Sequence, residues 1–425
     1  MSRTVNATAT LLATCLTIVS SFAGAQAQKI PIYNLESTTM RSTEPLASVY
    51  GVRELPNGNL LVNDPVAHRL LVLNPKLDLK KIVADSTSTT GVKFPQYGTR
   101  MLIPFIADSV LFIDNDSRVF LVIDPLGNVA RPMAPPKSND LGYFNAPFVG
   151  APGVDANGRL VYQAGRRFPA QRVDPKVKLP SRAFDTLSLI AVNLETRIPD
   201  TIAALVIPRA SGIETTVDAN GKMHGTQKLT PVAQPADIWA VLSDGTVAIV
   251  RGHDYHVESI RANGNRVTGT KMPFDWRRLT DDDKRARVDS VKRIIDSLQA
   301  AGSPLGRMIQ SQTVNGVTRT DTVIPAIEYP TLAEIPDFVP PVRANAARPD
   351  RDGMLWILPT TSNHVTNGLL YDVVSADGQL VKRVQLPPDR DIVGFGKNGV
   401  VFLGWFHNRV WTIERTRIAN AASRQ

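Results

Sequence analysis

Short apolar runs, each entered through a tight polar turn, recur along the chain. "NGNLLVND" stands at 57–64, "ADSVLFIDN" at 107–115, "ANGRLVYQ" at 156–163, "SDGTVAIV" at 243–250, "RDGMLWIL" at 351–358 and "KNGVVFLG" at 397–404. Turn chemistry followed by a β-branched run predicts a strand leaving a hairpin. Each run leads to a second one, such as "RLLVLNP" at 69–75, "RVFLVIDP" at 118–125 and "RVWTIER" at 409–415. With a strand before each turn and another after the second run, the unit is a four-stranded meander. Its six occurrences predict an all-β fold, a six-bladed β-propeller of four-stranded antiparallel blades. Blades pack face against face, so both sides of a strand are buried. That favours continuous apolar runs over strict alternation. The membrane-barrel alternative needs longer strands, about 9–11 residues each, that alternate apolar and polar.

The last unit ends at Arg415 without a fourth strand, and only a polar tail, 419–425, follows residue 418. An unpaired edge is a liability for aggregation. The segment "KIPIYNL" at 29–35 belongs to no unit, and it is expected to complete the sixth blade and close the ring.

The chain resembles six-bladed propellers of the NHL-repeat and TolB-like type. The units "GNLLVND" and "HRLLVLNP" within 58–75, and "NGVVFLG" and "NRVWTIE" within 398–414, carry the likeness. Arg69, Arg118 and Arg409 stand where an NHL-type unit opens its third strand with arginine; Thr186, His256 and Gly368 replace it elsewhere. The resemblance implies the fold. It implies no single activity, because propellers host binding modules, lyases and hydrolases alike.

Insertions fall unevenly. The connections on one rim are minimal turns of Gly, Asn, Asp and Pro. The other rim is expected to carry a long loop at 163–186, a passage at 209–235 and a longer one at 275–340. Loops of that length in a compact domain are commonly functional. Within the longest, Thr280 followed by Asp281, Asp282 and Asp283 predicts a helix start, with acids at the positive end of the dipole. Val288, Val291, Ile294, Ile295 and Leu298 recur at helical spacing, and Gly302 and Pro304 stop the helix. It is expected across or beside the mouth of the central channel.

Composition adds a compartment. Arg3, the apolar run Leu11 to Phe22 and the small residues of Ala25-Gln26-Ala27 read as a secretory signal peptide over 1–27, with the propeller at 28–418. A lipidation box at Cys15 fits less well, because Thr14 is unsuited to it. The expected location is periplasmic or extracellular, with no transmembrane span after cleavage. Cys15 is the single cysteine, so no disulfide is expected in the mature chain. The formal charge is +9, or +8 without residues 1–27, and the basic residues are scattered. No nucleic-acid module stands out.

The stretch "GTVAIVRGHDYH" at 245–256 ends a buried-looking strand in a loop with two histidines. His68, His253, His256, His364 and His407 all fall on corners of the inserted face; His224 lies in a passage on it, and Asp64, Asp114, Asp116 and Asp254 share the rim. Zinc requires three or four such groups converging. Peptidyl-amidating lyases of NHL-like fold hold zinc with histidines, so the resemblance implies a metal alternative at those five corner residues. Turn geometry is the simpler account, and neither metal nor other cofactor is expected. The glycine pattern at 394–399 precedes a strand where a dinucleotide site needs a helix. There is no nucleophile elbow, HExxH or P-loop.

The expected function is non-catalytic binding of a small ligand, peptide, glycan or envelope protein through the inserted face. Arg166, Arg167, His253, Asp254, His256, His364, Trp405 and His407 are the candidate contacts, with Phe406 and Arg409 beside Trp405. A metal-dependent lyase or hydrolase around the channel and a structural envelope protein are the alternatives.

Overall fold

The computed structural model describes residues 30–38, 40–87, 90–95, 101–145, 150–165, 184–208, 213–217, 223–229, 234–301, 308–314, 317–364 and 367–419. The expected signal peptide lies outside these residues. So do Arg166, Arg167 and most of the loop around them.

Six small sheets follow one another in chain order. The first strands of blades one to six are Gly51–Glu54, Leu102–Pro104, Gly153–Val154, Ile238–Val241, Val342–Pro349 and Asp391–Phe395. Each pairs antiparallel with the run that follows its turn, as in Val52↔Val62 and Trp239↔Ile249. Turns of neighbouring blades pack closely. Gly245 sits at φ +82, and a Cβ there would stand 2.2 Å from the Ala156 nitrogen.

Among the described residues the interior consists of six apolar clusters, one per blade interface. Leu61, Leu70 and Val72 of blade one meet Val110, Phe112 and Ile123 of blade two. Ile238, Val250 and Val257 of blade four meet Leu355, Ile357 and Val374 of blade five. Leu60, Val62 and Leu71 of blade one also meet Val400, Phe402 and Ile413 of blade six, so the ring closes. Leu61 faces one neighbour while Leu60 and Val62 face the other. This is why Leu60–Asp64 is buried at every position, with no polar face to alternate.

The N-terminal segment works differently from the expectation. Ile32–Asn34 pairs in parallel with the fourth strand of blade five, not blade six (Tyr33↔Val384). The fourth strand of blade six is Met40–Arg41, antiparallel to Val410–Arg417 (Met40↔Arg415). Leu35 bridges to Ile418, and Leu46 to Trp411. The chain thus crosses from one blade edge to the next, and Arg41 meets Glu414 at 2.5 Å.

Two passages that leave fourth strands share one small sheet. The hairpin Ile213–Val217 and Met223–Lys228 lies between blades three and four. Ala326–Glu328, between blades four and five, pairs with it in parallel (Gln227↔Ile327). Lys228 binds Glu334 at 3.0 Å across the junction. The helix Asp281–Ala300 starts as expected: Thr280 Oγ1 accepts from the Asp283 nitrogen at 3.1 Å, and Asp283 accepts from the Thr280 nitrogen at 3.0 Å. Buried Lys284 ties the helix to Asp337 at 2.7 Å, and the helix packs on the turn Leu332–Glu334. Its stripe of Val288, Val291, Ile295 and Leu298 is half-buried, and Ile294 stays exposed. Among the described residues no helix is long and apolar enough to cross a membrane.

Candidate functional site

Asp372 is the least expected residue in the blade five run "LLYDVV": a carboxylate in a strand whose neighbours face apolar interiors. It is 1% exposed. A buried charge needs partners, and among the described residues it has two. Tyr255 of blade four donates its hydroxyl to Asp372 Oδ2 at 2.5 Å. Arg383, from the neighbouring strand, donates Nε to Asp372 Oδ1 at 2.7 Å. The Tyr255 phenol is pushed well above its usual range, first by burial and then by the Asp372 charge.

Tyr255 reaches Asp372 because of the corner it occupies. It sits in the left-handed region at φ +52, where a tyrosine is strained. His68 and Asn408 take the same conformation before the third strands of blades one and six, at φ +51 and +49. Gly252, at the start of this corner, packs on Ala236, whose oxygen would be 2.3 Å from an added Cβ. The corner is further held by the Tyr255 nitrogen donating to the Arg251 carbonyl at 3.0 Å.

Next to this relay lies a cleft of about 420 Å³ between blades four and five. Pro273, Phe274, Pro359 and Leu370 supply apolar wall; Thr361, Ser362, Asp275, Asp372 and Arg383 supply polar groups. The Phe274 ring stands edge-on to Tyr255 at 5.7 Å and to exposed Trp276 at 5.1 Å. Arg383 also donates to the Pro273 carbonyl at 3.3 Å and keeps 28% of its side chain exposed. Residues 273–275 follow the fourth strand of blade four, and Pro359 ends the second strand of blade five with 360–362 after it, so the cleft opens on the inserted rim. An apolar cleft with a few convergent polar groups is the usual form of a ligand site.

The histidines are spread around this rim. His256 Nδ1 lies 2.7 Å from Asp254, and its Nε2 lies 3.5 Å from Glu258. Glu258 binds Arg251 at 2.7 Å, and Arg251 binds Asp237 at 2.7 Å. The Arg251 hydrogen bond outweighs burial and holds Glu258 below its usual value. Burial works against ionised Asp254, but His256 and Lys271 together hold it below its usual value. His253 packs on Phe184 at 5.4 Å and His68 on Phe94 at 6.0 Å. His364 ends the turn Thr360–His364 beside the cleft, and His224 lies on Met223–Lys228 of the inserted sheet. Among the described residues no three His, Cys, Asp or Glu side chains form a metal-holding group.

Trp405 and His407 belong to the ring closure. The His407 ring stacks on Trp405 at 4.6 Å. The guanidinium groups of Arg41 and Arg390 lie over the same indole at 4.4 and 4.2 Å. Both arginines bind Glu414, which is 1% exposed. Cation–π contacts and ion pairs here join the N-terminal strand to blade six.

Reading the sequence for histidine chemistry missed Tyr255, Phe274, Asp372 and Arg383. The signal was the lone aspartate in "LLYDVV".

No protein-family model matches the chain, and no curated protein matches it in sequence. Among solved structures it is similar to a member of the duf4221 family from Bacteroides vulgatus, with 9% identity over 92% of this chain and 96% of that one and a TM-score of 0.41. It is similar to a virginiamycin B lyase from Staphylococcus aureus, with 9% identity over 89% and 98% and a TM-score of 0.38. A gluconolactonase from Xanthomonas campestris gives 11% identity over 89% and 87% and a TM-score of 0.35. At these values the likenesses assign no activity to this chain.

Proposed function

We propose that this chain is an exported propeller of NHL-repeat or TolB-like type that binds a small ligand, glycan or peptide on its inserted face, in the cleft between blades four and five, without chemistry of its own. The observation that supports it best is the Tyr255–Asp372–Arg383 relay beside the cleft. Asp372 fixes the arginine, and the remaining donors of that arginine are left for a ligand oxygen. Phe274 and Trp276 offer ring faces and edges to an apolar or sugar-like body. The signal-like residues 1–27 support export.

A thermal-shift screen of neutral oligosaccharides, short peptides and carboxylates tests this reading, because a ligand that binds the folded state raises its melting temperature. Leu370→Trp fills the cleft, and Arg383→Met removes the exposed cation. Hits are expected to lose their stabilising effect in both variants. Hits that stabilise both as well as the parent chain would place binding elsewhere.

A further inference from the structure

The opposite end of the channel is built around arginines. Arg351, in the short turn after the first strand of blade five, donates to the Glu54 carbonyl of blade one. It also reaches Asp108 of blade two at 3.4 Å. Blades two and five stand opposite each other in a ring of six, so a side chain that joins them crosses the axis. Arg351 therefore straps the channel at the rim of minimal turns, with 12% of its side chain exposed.

Asp108 is held for this contact by an unusual turn. The equivalent turns place Gly58, Gly158, Gly245, Gly353 and Gly399 at positive φ, whereas blade two places Ala107 at +50 and Asp108 at +56. Non-glycine residues are strained in such a conformation. Strain of that kind concentrates where a side chain is needed.

One residue inward from Glu54, on the innermost strand of blade one, is Arg53. Leu55, two residues on and on the same side of the strand, packs in the interface with blade two, so Arg53 points toward the innermost strand of blade two. Among the described residues its guanidinium has no hydrogen-bond or ion-pair partner, although part of its surface still meets water. Burial and then repulsion from Arg351 lower its pKa to about 10, against a smaller opposing pull from Asp108. Arg53, Arg351 and Asp108 together leave one uncompensated positive charge within low-dielectric walls, which strengthen any attraction to a counter-charge.

We propose that the channel is a well closed by Arg351 whose floor, Arg53, binds a small oxyanion or carboxylate entering from the inserted face. The planar guanidinium offers five donors, a geometry that fits a carboxylate, sulfate or phosphate edge. This site does not depend on the cleft between blades four and five.

Calorimetric titration of the full chain with sulfate, inorganic phosphate, succinate and chloride tests the proposal. The expected result is saturable binding of one oxyanion or carboxylate per chain, with chloride weaker. Arg53→Met is expected to weaken it by about tenfold or more and Arg53→Lys by less. Asp108→Asn, which removes a competing negative charge, is expected to tighten it several-fold and serves if Arg53→Met does not fold. The absence of saturable binding, equal affinity in Arg53→Met, or no tightening in Asp108→Asn would overturn the proposal.

Discussion

Tyr255 and Asp372 are joined at 2.5 Å although they belong to different blades and stand 117 residues apart. Their bond ties the inserted rim of blade four to blade five where the candidate cleft begins. Tyr255→Phe removes one donor from a fully buried carboxylate, which costs about 1–3 kcal/mol. Urea unfolding checks this as a lower midpoint at unchanged slope. The tyrosine also sets an alkaline limit. Its folded pKa lies above the unfolded value, so folding holds the proton more tightly. That contribution is complete below pH ~10 and fades above it, at up to about 1.4 kcal/mol per pH unit for one proton. Stability of Tyr255→Phe is expected to fall less steeply above pH 10; an unchanged slope would count against the buried-phenol account.

Glu414 is the keystone of the ring closure, since it binds both Arg41 and Arg390. Burial opposes its ionised form, but the two arginines hold its pKa below the usual glutamate value. The stability it provides is therefore present above that usual value and is lost as pH falls through the lowered one. Glu414→Gln leaves two arginines without their anion and is expected to cost about 2–4 kcal/mol near neutral pH. The deficit should shrink on acidification, as thermal melts across pH 3–7 on the order of one-unit steps would reveal.

Among the described residues of 277–330, none belongs to the six interface clusters. Deleting that segment is accordingly expected to leave a cooperatively unfolding propeller with an unchanged β-type circular dichroism spectrum. If the segment covers the inserted face, the dissociation rate of a cleft ligand should rise by about tenfold, with a smaller change in association. Equal dissociation rates would remove the covering role.

Both His256 nitrogens are directed at carboxylates, and His253 and His68 pack on phenylalanines. Metal analysis of the purified chain is expected to find less than about 0.1 equivalent of zinc, against one for a filled site. Chelator treatment should leave the melting temperature within about 1 °C. A stoichiometric metal would restore the histidine-ring alternative.

The blades were legible because both faces of their strands are apolar, as in Leu60–Asp64 and Val110–Asp114, and because turn residues separate them. The helix start was legible from Thr280 and its three aspartates. The register of the N-terminal closure was not. Met40–Arg41 is two residues long and has no apolar run, and it is fixed by the ion pair of Arg41 with Glu414, 373 residues away. The relay beside the cleft was half-legible. A lone aspartate in a buried run announces a partner, but nothing local says that the partner is a tyrosine hidden among histidines. Arg53 and Arg351 carry no sequence signal at all, since their meaning comes from the ring bringing distant blades to one axis.

Hydrogen–deuterium exchange of the full chain tests the central claim most directly, using a screened ligand whose binding survives Arg53→Met. Protection is predicted at 271–277, 359–364, 370–374 and 382–386, the segments around the cleft on the inserted face. Protection confined to the minimal turns of the opposite rim, or to the closure around Trp405 and Glu414, would contradict it.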